Sequence, residues 1–342
     1  MNENLELSQN EKILNEIEKN ILQYNMIQNG DKIVVALSGG PDSMCLLHAL
    51  QTLQDKFKKK YNIQYTILVS HVNHMIRKES EDEKIYVEKY CKNNNIEFYY
   101  LKVDVTKKSK ELKMSVEECG RKIRYDFFNE VCEKTNSNKI AVAHNLNDNV
   151  ETILLNMIRG CGLKGLIGME YVKNNIIRPM LSIEKDLILE YNNIYELNSC
   201  FDKTNLETIY LRNKVRIDLI PMLEKEYNSN FTKNIIRMRE ILSSDEEFLD
   251  KYANNIVNEC IISKSDKKIR FNFEKILKEE KSIKYRAIRI ILIMKLNNLE
   301  GIQNIHIMDI SKLFKNNIKG KKYIIGNKFT IEIVSKNIAT IY

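Results

Sequence analysis

No apolar run in this 342-residue chain reaches the length of a membrane span, so no membrane partner is expected. None of its seven cysteines stands in a C-x-x-C pair. The odd, scattered set argues against a disulfide framework and against a zinc cluster. Cys161, between two glycines, is the one thiol to watch. The opening Met1-Asn2-Glu3-Asn4 is polar and partly acidic, unlike a signal or Arg-rich transit peptide, and a cytoplasmic location is expected. There is no clear internal repeat. What is present is a globular composition, 43% hydrophobic and 29% charged, in a chain long enough for two domains.

Net charge is +8, unevenly spread. Residues 211–342 hold 26 basic and 16 acidic side chains, leaving 28 and 30 in residues 1–210. A basic C-terminal part beside a near-neutral N-terminal part suits a polyanionic partner, most simply nucleic acid. A Lys-rich solvated surface explains the same numbers.

Apolar periodicity predicts a helix over 11–27, then alternating strands and helices: strands at 32–37, 65–70, 96–103 and 140–143, helices through the fifties and over 79–94, 116–134 and 147–159. Continuous apolar strands between helices indicate an α/β fold, a parallel sheet covered on both faces. Residues 160–182 read as loop-rich. Beyond 210 the pattern becomes helical (212–225, 231–257, 282–298, 303–315) and ends in short strand-like runs. The expected domains are 1–210, nucleotide-binding, and 211–342, smaller and mostly helical with a terminal β element.

The segment Ser38-Gly39-Gly40-Pro41-Asp42-Ser43 lies between the first strand and the next helix. Two glycines let backbone N–H groups turn toward a ligand, and the helix start adds free donors and a positive dipole end. This suits a phosphate chain. The loop lacks the lysine of a Walker A motif, and Asp42 beside phosphates implies Mg²⁺. A plain tight turn capped by Asp42 or Ser43 is the alternative.

His144 follows the fourth strand, with Asp148 and Glu151 three residues apart on the next helix. The set suits a metal, an ammonium group or proton uptake; a helix with acids in its first turn is the plainer alternative. His71 and His74 lie after the second strand, with Arg77 beyond them, and hydrogen bonding suits them better than zinc. Arg121, Arg124 and Tyr125 share a helix with Glu117, Arg159 precedes a Gly-rich loop, and Arg212 and Arg216 open the basic region. The phosphate loop, His71 and His144 all fall at C-terminal strand ends, where such sheets bind ligands.

In order along residues 32–221, SGGPDS (38–43), HVNHMIR (71–77), EECGRKIRY (117–125), AHNLNDNVET (143–152), RGCGLKGLIGM (159–169) and RPML (178–181) resemble the tRNA(Ile)-lysidine synthetases of the PP-loop ATP pyrophosphatase superfamily. Asp202, Asn205, Arg212-Asn213, Arg216 and Pro221 extend the match. One departure stands out: the family pairs two aspartates where this chain has Asn147-Asp148. The resemblance implies ATP-dependent adenylation of the wobble cytidine in the CAU anticodon of tRNA(Ile), then attack by free L-lysine to give lysidine, AMP and pyrophosphate. It implies that Ser38, Gly39, Gly40, Pro41, Ser43 and His71 hold ATP, with Asp42 near Mg²⁺. Asp148 and Glu151 would hold lysine's amino groups or a metal, and His144 and Arg121 the reacting phosphate. Arg77, Arg124, Arg159, Arg212 and Arg216 would meet tRNA, and a homodimer is left open. The rivals are a PP-loop 2-thiolase, whose usual cysteine pair is absent, and a noncatalytic, nucleotide-gated RNA-binding protein.

Overall fold

The computed structural model describes residues 9–75, 80–197, 211–296, 299, 301–326 and 328–342. It divides into two compact units, residues 1–239 and 240–342.

The first unit is built on β1 (Lys32–Ala36), β2 (Thr66–Asn73), β3 (Glu97–Lys102), β4 (Lys139–Ala141), β5 (Val172–Lys173) and β6 (Ile176–Ile177), in the order β3-β2-β1-β4-β6-β5. Every pairing is parallel except β5 with β6. Alternate residues serve opposite faces, as strand geometry requires. Ile33, Val35, Ile67 and Val69 join a core with α1 (Gln9–Gln23), α2 (Pro41–Tyr61) and α3 (Ser80–Asn93). Val34 and Ile140 pack instead against Phe127, Phe128 and Val131 of α5 (Val116–Thr135). Both faces are therefore covered, as expected. Each such fully buried aliphatic side chain contributes roughly 1.5–3 kcal/mol.

A short α4 (Val105–Leu112) precedes α5; α6 (Leu146–Arg159), α7 (Leu163–Ile167) and α8 (Lys185–Ile194) follow β4. The stretch expected to be loop carries α7 and the β5–β6 hairpin. Strand order reverses at β1, with β2 on one side and β4 on the other, and a crevice opens beyond their C-terminal ends.

Residues 211–227 are helical as expected, but in alternating turns: α9 (Leu211–Lys214), a π-helical stretch to Leu219, α10 (Ile220–Met222) and a second π-helical stretch to Tyr227. Val215, Leu219 and Ile220, with Phe231, Ile235 and Ile236, cover Val150 and Leu154 of α6. That packing is why residues 211–239 belong with the first unit, and why the division falls at 239/240 and not at 210/211. It lies within α11 (Phe231–Cys260).

The second unit has α12 (Glu274–Lys278), α13 (Lys281–Leu296) and α14 (Asn304–Asn316) around an antiparallel sheet. Its strands are β7 (Ile261–Lys264), β8 (Ile269–Asn272), β9 (Lys322–Ile325), β10 (Phe329–Ser335) and β11 (Ile338–Ile341), ordered β7-β8-β11-β10-β9. The terminal runs are strands as expected; β7 and β8 are additional. Among the described residues, no helix is long and apolar enough to cross a membrane.

Candidate active site

The loop after β1 turns at Gly39, whose φ of +86° lies in the left-handed region that favours glycine. Pro41 opens α2 with its fixed φ and no N–H to leave unsatisfied. The two serines tie the turn together: Ser43 Oγ accepts from Ser38 N at 3.2 Å and donates to Gly40 O at 2.9 Å. Ser38 Oγ accepts from Gly40 N at 3.3 Å and sits 3.1 Å from Ser43 Oγ. Asp42 points away from this turn to other elements. Its carboxylate accepts from Lys185 Nζ at 2.6 and 2.7 Å and from Asn145 Nδ2 at 3.1 Å.

Asn145 is the N-cap of α6, in a capping box with Asp148: Asp148 N donates to Asn145 Oδ1 at 3.0 Å, and Asn145 N to Asp148 Oδ2 at 3.1 Å. One turn on, Glu151 is 1% exposed. Its carboxylate accepts from Arg212 Nε at 2.8 Å and from Arg216 Nε at 2.5 Å, and both guanidinium groups also reach Asp148 Oδ1. Burial raises the Asp148 pKa above the usual aspartate range, against the pull of Arg212 and Arg216, with Glu151 adding to the rise.

Beside the phosphate turn lies a cleft of about 420 Å³, whose lining reaches His144 but does not include Asp148, Glu151, Arg212 or Arg216. Ser38, Asp42 and Ser43 form one wall and Arg121, Arg124 and His144 another, with an apolar back of Ala36, Val72, Phe128 and Val142. The His144 pKa is pushed down to about 3, by burial first and then by Arg178, Arg212, Arg121 and Arg124. Its Nδ1 accepts from Arg178 Nε at 3.3 Å, so the neutral ring carries its proton on Nε2. Arg178 in turn donates to Glu170 O at 2.8 Å.

A family model described as a PP-loop domain matches residues 9–223. The chain belongs to the PP-loop family. It is 41% identical to a tRNA(Ile)-lysidine synthase from Clostridioides difficile over 89% of its own length, and 41% identical to one from Clostridium tetani over the same share. It spans 65% and 63% of those two relatives, a little under two thirds. Among solved structures, a U34-tRNA thiolase from Methanococcus maripaludis that carries a [4Fe-4S] cluster matches 68% of this chain and 79% of its own, with a TM-score of 0.55 at 23% identity. That likeness supports the fold alone.

The PP-loop cleft brings together Ser38, Asp42, Ser43, Arg121, Arg124 and His144. Gly39, Gly40 and Pro41 form the turn beside it. His71 is elsewhere: it is buried under the loop, donates from Nδ1 to Leu37 O at 2.8 Å, and stacks on Tyr100. Its neighbour in the motif, His74, lines the cleft instead, its pKa lowered to about 4 by burial, Arg124 and His71. Strand alternation explains the exchange, because β2 ends at Asn73 and His74 begins the turn above the sheet edge. Arg212 and Arg216, expected to face tRNA, are instead paired with Asp148 and Glu151. Arg159 is exposed at the end of α6. Arg77, Cys200, Asp202 and Asn205 lie outside the described residues. Cys161 is exposed, and the other described cysteines are buried.

Three further side chains that touch these candidate residues carried no sequence signal of their own. Asn145 and Arg178 stand within quoted motifs but are ordinary polar residues there, and Lys185 is one of 54 basic residues.

Proposed function

We propose that this chain carries out ATP-dependent modification of tRNA, the ligation of L-lysine to C2 of the wobble cytidine of tRNA(Ile) with a CAU anticodon. The cytidine C2 oxygen attacks the α-phosphorus of ATP and pyrophosphate leaves. The ε-amine of lysine then attacks C2, and AMP leaves with the oxygen. The likeness to tRNA(Ile)-lysidine synthases supports this reading. One observation carries it. Asn145 joins Asp42, on the cleft wall, to Asp148 of the acidic pair, so the proposed phosphate and amine sites are linked through one side chain.

The roles follow from chemistry. The N–H groups of the Ser38–Ser43 turn and the start of α2 cradle the phosphates. Among the described residues, no three His, Cys, Asp or Glu side chains gather into a metal site. As the acid of the phosphate turn, Asp42 would supply a protein oxygen to Mg²⁺, an ion that takes carboxylate oxygens. An ion held there would supply neutralisation of phosphate charge. Arg121 and Arg124 meet the α-phosphate, and neutral His144 donates to it from Nε2. Asp148 and Glu151 bind lysine as it displaces part of their arginine contacts. With His144 held neutral well below pH 7, Asp148 is the better proton acceptor for the ε-ammonium group. The basic region 211–342 grips the tRNA body, and a flipped anticodon base enters the cleft.

The test is AMP release measured with and without lysine and a CAU tRNA. The reading expects AMP only when both are present. AMP release independent of lysine rejects it, and a sulfur-donor requirement favours the thiolase rival.

A further inference from the structure

The phosphate loop has no cation of its own, yet one reaches it from a distant part of the chain. Lys185, the first residue of α8, places its ammonium on both oxygens of Asp42, at 2.6 and 2.7 Å. Neither partner is sealed in: the side chains are 31% and 29% exposed. An ion pair so open to water is worth about 1 kcal/mol or less, so a triphosphate entering beside Asp42 can draw the ammonium off it at small cost. Asp42 stays held when the lysine leaves, because Asn145 Nδ2 donates to it independently at 3.1 Å.

The root of the lysine is fixed as well. The N–H of Lys185 opens a helix and has no partner inside it. Asn147 Oδ1 accepts that N–H at 3.0 Å. Asn147 is the position at which this sequence departs from the paired aspartates of the family it resembles. Either side chain offers the accepting oxygen. The amide offers it without a negative charge that would compete with phosphate for Lys185.

We propose that Lys185 is the phosphate-binding cation of this site: it neutralises Asp42 in the empty loop and moves onto the phosphate chain when ATP arrives, with Asn147 as its positioning residue. This rests on the ATP-binding half of the function proposed above and needs neither tRNA nor lysine.

The test compares Lys185→Met and Lys185→Arg for binding of Mg·ATP, inorganic pyrophosphate and adenosine by calorimetry. Lys185→Met is expected to weaken ATP and pyrophosphate about tenfold or more while adenosine changes less than about twofold, and Lys185→Arg to restore most of the loss. Unchanged ATP affinity in Lys185→Met, or an equal loss for adenosine, overturns the proposal. Should circular dichroism show that Lys185→Met does not fold, Asn147→Ala decides. It is expected to weaken ATP about threefold or more, with Asn147→Asp, which restores the accepting oxygen but adds a competing charge, recovering only part of the loss; ATP affinity unchanged in Asn147→Ala overturns the proposal. Because no tRNA is used, a chain that binds phosphate through Lys185 but makes no lysidine refutes the ligase reading alone.

Discussion

The side-chain amide of Asn145 donates to Asp42 Oδ1 at 3.1 Å, while its oxygen caps the helix that carries Asp148. One side chain thus sets the distance between the phosphate loop and the acidic pair. Asn145→Ala removes cap and bridge together, and chemical denaturation is expected to show a loss of about 1 kcal/mol, in the usual range for a lost N-cap. Asn145→Asp keeps a capping oxygen but turns a carboxylate toward Asp42. It is expected to slow pyrophosphate release beyond any change in stability. Normal release in both variants removes the bridge from the mechanism.

Glu151 is buried, and two arginines close on it. Removing a buried ion-pair partner typically costs about 3–5 kcal/mol. Arg212 and Arg216 are only partly covered and can rehydrate, so Glu151→Ala is expected at the lower end, about 3 kcal/mol by urea unfolding. Glu151→Gln keeps the shape and loses the charge. Its KM for lysine is expected to rise about tenfold with ATP affinity unchanged; an effect on ATP alone contradicts the assignment of the acidic pair to lysine.

Two cleft histidines titrate far below their ordinary value of 6.5, His144 at about 3 and His74 at about 4. Below pH 6.5 the unfolded chain takes up protons that the fold does not, so stability falls as pH drops from about 6.5 toward 4 and is fully present above that range. The midpoint of thermal unfolding is expected to fall with pH through this window, less steeply in His144→Gln. The rate profile of the wild type between pH 6 and 8 is expected to lack an ionisation that His144→Gln removes. Finding one places a titrating proton on His144.

Gly39 has space for a methyl group, its nearest neighbour being Val87 at 3.5 Å from a built Cβ. The cost of Gly39→Ala is therefore in the backbone, where a left-handed φ costs a non-glycine residue roughly 1–2 kcal/mol. The variant is expected to unfold at a lower urea concentration and to bind ATP more weakly. Unchanged ATP affinity argues that the turn does not need its present shape.

Much of this site was legible because local chemistry announces it. An apolar run, two glycines and a helix pattern fix β1, the phosphate turn and α2, and apolar strands between helices fix a parallel sheet whose strand ends gather Ser38, Asp42 and His144. What was not legible depends on long-range packing. Lys185 reaches Asp42 across 143 residues, and nothing near it in sequence marks it. Arg212 and Arg216 read as a basic face because their acidic partners lie on α6, more than 60 residues earlier. His71 was assigned to the ligand and His74 was not, because the place where β2 stops decides which one faces the cleft. The 211–239 segment was set in the basic domain on charge, whereas its apolar side chains pack it on α6.

The most direct measurement is mass analysis of nucleosides from a CAU tRNA(Ile) transcript incubated with this chain, ATP, Mg²⁺ and lysine. The expected result is a cytidine replaced by its lysine adduct at the wobble position, dependent on ATP and absent with Asp148→Asn. Unmodified cytidine alongside normal ATP binding, or an adduct formed equally well without ATP, contradicts the account.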